Sequence, residues 1–234
     1  MDEQAEGRAG TPGRGSAAEQ AAGLRERKKQ QTRRALSEAT IALAVERGWT
    51  NVRIEDVAAA VNVSERTFRN YFSGKAEAVA ATHLDRMARV ARAVGERPAA
   101  EPLFEAIGTA LRFEFAPEDS AAHQRRTPRR QHREAIWEVL TEPAVQAEVM
   151  RADQEAQGVL AEAIAARTGT DAVTDLYPKL VASAVGAAMG TTLSHWLRAD
   201  PPVPLAPLMD EALEHLRRGL GPSAPGPGAA PAGS

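Results

Sequence analysis

The chain of 234 residues contains no cysteine, 29 Lys and Arg against 31 Asp and Glu, and 43% hydrophobic residues. This composition is typical of a globular protein, and the lack of cysteine excludes disulfide frameworks, zinc sites with thiolate ligands and cysteine nucleophiles. The net charge of −2 is unevenly distributed, because residues 24–75 hold 11 Lys and Arg against 6 Asp and Glu. A basic segment beside an acidic remainder is typical of a domain that meets a polyanion, with solvated surface charge as the alternative.

Both ends of the chain have a low-complexity composition. Residues 1–23 are rich in Gly, Ala, Arg and Pro, and residues 221–234 are rich in Gly, Ala and Pro. Such segments bury too little apolar surface to offset the entropy of ordering, so we expect two disordered tails. Residues 1–23 also lack the apolar stretch of a secretory signal, and we therefore expect a cytoplasmic, nucleoid-associated protein.

The pattern between the tails is helical. Leu36, Ala39 and Leu43 share one helix face, and Gly48 supplies a natural stop. No sustained alternation of apolar and polar residues indicates a strand, so the predicted fold class is all-α. The predicted helices span about 25–47, 54–61, 65–72, 75–94, 102–115, 128–140, 143–167, 172–198 and 205–220.

One stretch is long enough to raise the question of a membrane span. Leu180 to Leu197 carries no formal charge, but it is dominated by Ala and Gly and contains several Ser and Thr residues. Transfer of such a segment into lipid is unfavourable. We therefore interpret it as a helix buried against other helices and expect no membrane partner.

Residues 54–72 have the arrangement of a helix-turn-helix. Asn62 can adopt the left-handed backbone conformation of a tight turn, and Ser64 is a good N-cap for the second helix. In that helix Phe68 and Phe72 lie four residues apart and can anchor it to the preceding helices. A surface amphipathic helix is the alternative at this point.

The remaining side chains of the second helix have the hydrogen-bonding groups that read DNA. Arginine can bind guanine at two atoms, asparagine can pair with adenine, and threonine offers a hydroxyl and a methyl group. We predict base contacts for Arg66, Thr67, Arg69 and Asn70, and phosphate contacts for Thr50, Arg53, Ser64, Tyr71 and Lys75. The basic run from Arg25 to Arg34 is a further candidate for contact with the DNA backbone, with a solubilising role as the alternative.

The segment from Arg25 to Val79 resembles the DNA-binding signature of the TetR family of transcriptional regulators. The match is carried by residues 48–50, 54–58, 61–64 and 67–72, followed by Lys75. It departs from the family pattern at Asn62, where glycine is usual, and at residues 73–75, which lack the usual proline. The resemblance implies an N-terminal three-helix helix-turn-helix domain, at 24–74, followed by a larger helical ligand-binding and dimerisation domain, at 75–220.

The resemblance also implies a homodimer that represses from a palindromic operator in double-stranded DNA and is released by a small-molecule effector. Small residues on the 172–198 helix permit close approach of another helix, and the last helix has a wide apolar face. The alternative is that both helices are core of a monomer. The predicted dimer interface consists of Gly186, Met189, Gly190, Leu193, Leu208, Ala212 and Leu216.

Large apolar or amphipathic residues on the middle helices are candidates for the effector pocket, with ordinary core as the alternative. Such a pocket favours a hydrophobic or acyl-type ligand. The run from Arg125 to Arg133 suits a phosphate-bearing effector such as an acyl-coenzyme A, with a solvated loop as the alternative. The candidate pocket residues are Phe104, Ile107, Leu111, Phe115, Trp137, Met150 and His195.

No motif of a common enzyme class is present. The chain lacks the nucleophile elbow, the Walker loop, the dinucleotide-binding glycines and the His-Glu-x-x-His zinc motif, and its 5 histidines have no metal-ligand spacing. We therefore expect a regulator that is not an enzyme and has no catalytic residues, metal or cofactor. The alternative function is a helical protein-interaction adaptor without sequence-specific DNA binding.

Overall fold

The computed structural model describes residues 14–119 and 130–219, with the side chains of residues 23–115 and 130–219. Within those ranges the regular structure is entirely helical, as the sequence predicts. The first half comprises α1 (Arg14–Arg47), a 3-10 turn (Trp49–Asn51), α2 (Ile54–Ala60), α3 (Glu65–Arg69) and α4 (Lys75–Glu96). The second half comprises α5 (Leu103–Asp119), α6 (Arg130–Thr141), α7 (Pro143–Thr168), α8 (Leu176–Arg198) and α9 (Leu205–Arg218).

Two helix boundaries differ from the sequence-based expectation. The helix α1 begins at Arg14, so residues 14–23, which we expected to be part of a disordered tail, are helical. The helix α8 begins at Leu176 rather than at Ala172, because the Asp171 carboxylate accepts hydrogen bonds from the backbone N–H groups of Thr174 and Val173 at 2.8 and 2.7 Å. These bonds hold a turn and lower the pKa of the Asp171 carboxyl. The remaining parts of the expected tails, residues 1–13 and 221–234, lie outside the described residues.

One apolar core joins α1, α2, α3 and the start of α4. Leu36, Val57 and Phe68 are fully buried in it. Val139 of α6 and Val145 of α7 belong to the same cluster. The N-terminal helices are therefore packed directly on the C-terminal ones.

A second, larger core holds α4, α5, α7, α8 and α9 together. Val90, Leu111, Leu160, Val185 and Met209 each contribute a side chain that is at most 2% exposed. Burial of such a side chain contributes about 1.5–3 kcal/mol. This core accounts for the apolar residues of the uncharged stretch 180–197, because α8 turns Val181, Val185 and Met189 inward. In the part of the chain that the structure describes, no helix is long and apolar enough to cross a membrane.

The helix α4 belongs to both cores. Its first turns place Ala78 and Val79 in the core formed with α1, α2 and α3, which we call the N-terminal core. Its later turns place Val90 and Val94 in the larger core. Its most extensive contact is with α7. One helix therefore contributes side chains to both cores.

The far end of α4 is held by one arginine. Arg167 of α7 donates hydrogen bonds to the backbone carbonyl of Arg97 at 3.0 Å and to those of Pro98 and Glu101. Carbonyls at the C-terminal end of a helix lack partners within the helix, and a cation there is stabilised by the helix dipole. Arg167 therefore fixes the C-terminal end of α4 to α7.

Candidate nucleic-acid interface

The start of α2 is fixed by a charged contact with α1. The backbone N–H of Arg53 donates to the Asp56 carboxylate at 2.9 Å and closes the first turn. The Arg47 guanidinium, at the end of α1, lies 3.7 Å from the same carboxylate. A carboxylate in the first turn of a helix also interacts favourably with the helix dipole. The orientation of α2 relative to α1 is therefore set by residues at its first turn.

The turn between α2 and α3 depends on Asn62. Its φ is 57°, and within the described ranges it is the one residue other than glycine with a positive φ. The backbone N–H of Val63 donates to the carbonyl of Ala58 at 2.9 Å, and that of Asn62 donates to Ala59 at 3.1 Å. Asparagine adopts this conformation at lower cost than most residues because its side chain can bond locally. The turn predicted from the sequence is confirmed.

The helix α3 is capped by Ser64. The Ser64 hydroxyl accepts the backbone N–H of Thr67 at 3.1 Å, and the two side-chain hydroxyls lie 2.9 Å apart. This cap satisfies one of the N–H groups that a helix start leaves without a partner. Thr67 is half-buried and Ser64 is exposed, so each retains hydrogen-bonding capacity toward a neighbouring group.

Two aromatic rings attach α3 to the rest of the molecule. Phe68 is fully buried and Phe72 is 2% exposed, and their ring centroids lie 5.6 Å apart with the planes tilted by 56°. The Arg33 guanidinium of α1 lies 5.4 Å from the Phe72 centroid and also forms an ion pair with Asp85 of α4. Tilted aromatic pairs and cation–π contacts each add to the energy of burial. The inner face of α3 is therefore held in the N-terminal core.

The outer face of α3 presents its polar side chains to solvent. Arg66, Arg69 and Asn70 are exposed, at spacings of three and four that place them on one side of the helix. Within the described ranges, none of these three side chains has a hydrogen-bond or ion-pair partner. Thr50 and Arg53 are exposed near the start of α2, and Tyr71 is half-buried beside Phe72. The arrangement combines a fixed inner face with a polar outer one, as a DNA-reading helix requires.

Lys75 occupies a different place from the one predicted. Its ammonium group donates to the backbone carbonyls of Trp49 and Val52, the latter at 3.0 Å, and lies 4.2 Å from the centroid of the Trp49 ring. Burial lowers the pKa of the Lys75 amine. Because the start of α4 packs against residues 49–52, the amine is used to hold that loop. We therefore assign Lys75 to bracing rather than to a phosphate contact.

The N-terminal basic run divides into two parts. Arg25, Arg27, Lys28 and Lys29 are exposed along α1. Arg34 instead binds Glu38 at 2.7 Å, and Arg33 is engaged by Asp85 and Phe72. The first part is therefore exposed without an ion-pair partner among the described residues, whereas Arg33 is engaged inside the fold.

Five of the seven candidate effector residues belong to the larger core or pack against it. Ile107 and Leu111 are fully buried in the larger core, and Phe104, Phe115 and Trp137 pack against it. Met150 is 69% exposed on α7, and His195 is exposed on α8. The structure does not bring these two to the others, because both lie on outward faces of helices whose apolar sides are already packed.

Most of the residues predicted for a dimer interface are buried or partly buried within one chain, and one is exposed. A β-carbon at Gly186 would meet Asp153 and Gln157 of α7 at 3.3 Å, so this glycine permits close packing within one chain. Met189 is 6% exposed, and Leu193 packs against the larger core. Leu208, Ala212 and Leu216 of α9 are partly buried against the same core. Gly190 is exposed with open space before it.

The exposed face of α8 has a heptad-like spacing that the sequence analysis missed. Its positions alternate three and four apart, with large apolar residues first and small residues later. Leu176 and Leu180 are 73% and 59% exposed. The exposed positions are Leu176, Leu180, Ser183, Ala187 and Gly190. The predicted interface residues Gly186 and Met189 lie one position before the exposed Ala187 and Gly190. The exposed face can be identified only when the buried side of α8 is known.

Two further features gave no signal in the sequence. A groove of about 650 Å³ lies between α1 and α6, with Ile41, Val45 and Ile136 among its apolar lining residues. A chain of hydrogen bonds runs from His83 of α4 through Asp153 and Gln157 to Ser183 of α8, with lengths of 3.3, 2.7 and 2.7 Å. Each is assembled from helices that are distant in the chain, so no local pattern indicates it.

The arginine run before and within α6 is only partly described. Arg125, Arg126 and Arg129 lie outside the described residues. Arg130 is exposed and binds Glu134 at 2.7 Å, whereas Arg133 is 3% exposed. In the ranges that the structure describes, no group of three or more His, Cys, Asp or Glu residues is arranged to hold a metal ion.

Comparison with known families matches two consecutive parts of the chain. Residues 36–82 match the model described as bacterial regulatory proteins, tetR family, and residues 101–221 match that of the MftR C-terminal domain. The first match contains α2, α3 and the start of α4. The second contains α5 to α9.

Curated relatives align over most of the chain. The HTH-type transcriptional regulator TcmR of Streptomyces glaucescens is 33% identical over 208 residues, which cover 83% of this chain and 87% of the relative. A protein of Mycobacterium tuberculosis named as the mycofactocin biosynthesis transcriptional regulator MftR is 28% identical over 199 residues, covering 83% of this chain and 93% of the relative.

Solved structures share the fold at low identity. The fatty acid degradation regulator FadR of Bacillus halodurans superposes with a TM-score of 0.53 at 14% identity, covering 81% of this chain and 96% of that one. FadR of Thermus thermophilus, solved in complex with lauroyl-CoA, superposes with a TM-score of 0.51 at 19% identity, covering 84% and 99%.

Replacement of Asn62 tests the turn. Asn62→Ala is expected to lower the free energy of unfolding by about 1 kcal/mol, because a β-carbon is strained in the left-handed conformation. Asn62→Gly is the matched control and is expected to retain the parent value within about 0.5 kcal/mol, since glycine adopts positive φ readily. Urea denaturation followed by circular dichroism measures both. Equal stability of the alanine variant and the parent would contradict a left-handed residue at this turn.

Replacement of Lys75 tests its bracing role. Lys75→Met is expected to destabilise the protein by about 1–3 kcal/mol, because it removes two charge-assisted hydrogen bonds and a cation–π contact. Arg92→Met removes an exposed cation from the same helix and is expected to have little effect. Thermal unfolding compares the two. A Lys75→Met variant as stable as the parent would return Lys75 to the set of phosphate contacts.

Proposed function

Because the chain belongs to the tetR family of bacterial regulatory proteins and is a ligand-responsive, DNA-binding transcriptional regulator, we propose that it is a dimeric repressor whose α3 reads operator DNA. The observation that carries this proposal is the outer face of α3. Arg66, Arg69 and Asn70 are exposed there, and within the described residues they have no partner inside the chain. The opposite face is fixed by Phe68 and Phe72.

The chemistry of this face suits the major groove. An arginine can donate to O6 and N7 of guanine, and an asparagine can bind N6 and N7 of adenine. Arg66, Arg69 and Asn70 have these groups, with Thr67 beside them. Thr50, Arg53, Ser64 and Tyr71 flank the face and are proposed to hold phosphates, which fix register rather than sequence. The exposed basic residues at 25–29 extend this contact along the backbone.

Two copies of the chain are proposed to pair through α8. A single α3 reads one half-site, and symmetric operators are bound by symmetric dimers. The exposed face of α8 supplies a self-complementary surface, with Leu176, Tyr177 and Leu180 at one end and Ala187 and Gly190 at the other. Small residues allow two helix backbones to approach closely. Packing this face against its symmetry mate would bury apolar side chains that one chain leaves in water.

The effector is proposed to act on the larger core. Phe104, Ile107, Leu111, Phe115 and Trp137 belong to that core or pack against it, and their apolar side chains favour a hydrophobic or acyl-type molecule. The FadR of Thermus thermophilus, solved with lauroyl-CoA, has the same fold. Ligand binding shifts the population between two dimer states if it binds one of them more tightly. The helix α4 is the connection to α3, because it lies in both cores.

Repression and its relief then follow from geometry. In the DNA-binding state the two α3 helices match successive major grooves of the operator in the cytoplasm. Displacement of α4 by the effector changes their separation. Operator affinity that is unchanged at saturating effector would contradict this mechanism.

Arg69→Ala tests the DNA-reading face. Fluorescence anisotropy against labelled duplex from the gene's own upstream region, at two salt concentrations, is expected to give saturable, salt-sensitive binding by the parent. Loss of Arg69 is expected to weaken binding by about 1–3 kcal/mol. Arg151→Ala removes an exposed arginine of α7 that pairs with Glu148 and is expected to bind like the parent. Parent binding that is weak and equal on any sequence would favour a protein-interaction adaptor instead.

Leu180→Glu tests the dimer. A charge at this position is expected to convert the dimer to monomer in sedimentation velocity, because carboxylates would face each other across the symmetry axis. Phe113→Glu replaces an apolar residue of α5 that is 74% exposed and lies outside the α8 face, and it is expected to remain dimeric. A monomeric parent, or a dimeric Leu180→Glu variant, would contradict pairing through this face.

A further inference from the structure

Arg133 is the only charged side chain that is buried among the residues the structure describes. It lies on α6 and is 3% exposed. Its Nη1 donates to the backbone carbonyl of Trp196 at 3.0 Å. Its Nε is buried and has no hydrogen-bond partner within the described ranges. A buried guanidinium with an unused donor is costly, because burial removes the water that would otherwise satisfy it.

The carboxylates of Glu134 and Asp200 do not compensate the charge of Arg133. Glu134, the next residue on α6, binds the guanidinium of Arg130 at 2.7 Å. Asp200, just after the end of α8, lies 3.2 Å from the same guanidinium. No carboxylate of the described residues forms an ion pair with Arg133. Among the described residues, Glu134 and Asp200 therefore pair with an exposed arginine, and the buried one has no anion.

The surroundings of Arg133 are apolar and cationic. Trp137 lies one turn further along α6 and packs against the larger core, and Trp196 is 8% exposed in that core. The guanidinium of Arg198 lies 5.5 Å from the centroid of the Trp137 ring. Phe104 and Phe115 of α5 pack against the same larger core. An anionic group at Arg133 would thus have an apolar surface on which its hydrophobic body could continue.

We propose that Arg133 receives the carboxylate of an amphipathic carboxylic acid, so that the effector of this regulator is an anionic molecule with an apolar body. This inference rests on the proposed ligand-responsive function and adds the chemical class of the ligand. A guanidinium presents parallel N–H donors that match both oxygens of a carboxylate, and such a bond is strongest where water is excluded. The apolar body lies toward Trp137 and the larger core.

A purely structural role for Arg133 makes a different prediction. As a cap on the carbonyls at the end of α8, the arginine would stabilise the protein on its own, and its loss would lower the melting temperature. The Trp196 carbonyl, however, also accepts the backbone N–H of Ala199 at 3.4 Å. Removing Arg133 therefore leaves that carbonyl with a partner. Replacing an uncompensated buried charge by an apolar side chain of similar length is often neutral or stabilising.

Thermal unfolding of the full chain tests the proposal with two matched pairs of probes. Dodecanoate is compared with 1-dodecanol, and 2-naphthoate with 2-naphthalenemethanol, each below the concentration at which it aggregates. Ligands that bind the folded state raise its melting temperature. At least one of the two carboxylates is expected to raise the melting temperature of the parent, and to raise it more than the corresponding alcohol does.

Variants then assign the effect to Arg133. Arg133→Met is expected to unfold at the same temperature as the ligand-free parent or above it, and to bind the carboxylate about tenfold more weakly or worse. Arg133→Gln keeps a donor for the Trp196 carbonyl without the charge and is expected to lose the same effect. Arg130→Met removes the exposed arginine one turn earlier and is expected to respond like the parent.

Four results would overturn the proposal. The first is a ligand-free Arg133→Met variant that melts several degrees below the parent, and the second is equal stabilisation of the parent by acid and alcohol. The third is a carboxylate effect that persists in both Arg133 variants. The fourth is that neither carboxylate stabilises the parent. Operator binding by the ligand-free parent is measured separately. If the parent binds the operator, a failed ligand test contradicts only the role of Arg133. If the parent does not bind the operator, the regulatory function itself is contradicted.

Discussion

The packing of Phe68 and Phe72 into the N-terminal core is the interaction on which the rest of the molecule depends. α3 is a helix of five residues, and a helix of that length is not stable by itself. Its position is set by the Ser64 cap, the left-handed Asn62 and the two buried rings. Without that anchorage the polar outer face would have no fixed geometry and could not discriminate between base sequences.

The same core couples the reading helix to the rest of the chain. It contains residues of α4, α6 and α7 as well as those of the first three helices. Lys75 holds the start of α4 to the 49–52 loop, and Arg167 fixes the other end to α7. A ligand that alters the packing of α4 in the larger core therefore acts on a helix that is hydrogen-bonded to the 49–52 loop at one end and to α7 at the other. Arg33, Lys75 and Arg167 bind groups inside the fold, whereas Arg66 and Arg69 remain exposed.

Local signals in the sequence are enough to predict the helices, the turn and the exposed polar face of α3. Asn62, Ser64 and the Phe68–Phe72 pair act through neighbours a few residues away, and the family resemblance covered the same segment. The internal hydrogen bonds of Lys75 have no local signal, because its partners lie 23 and 26 residues earlier, at Val52 and Trp49. The exposed face of α8 has no clear signal in the sequence, because a helix of Ala, Gly and Leu does not show which side is buried until α7 is in place. Arg133 was read as part of a solvated run, since its burial depends on α8.

Half-site geometry is the most direct test of the central claim, that two copies of α3 read a symmetric operator. Hydroxyl-radical footprinting of the purified protein on DNA from its own upstream region would measure it. Two-fold-symmetric protection is expected on one face of the duplex, with half-site centres about 10 base pairs or a multiple of that apart. Protection of a single asymmetric site, or none at protein concentrations that saturate non-specific DNA, would contradict the claim.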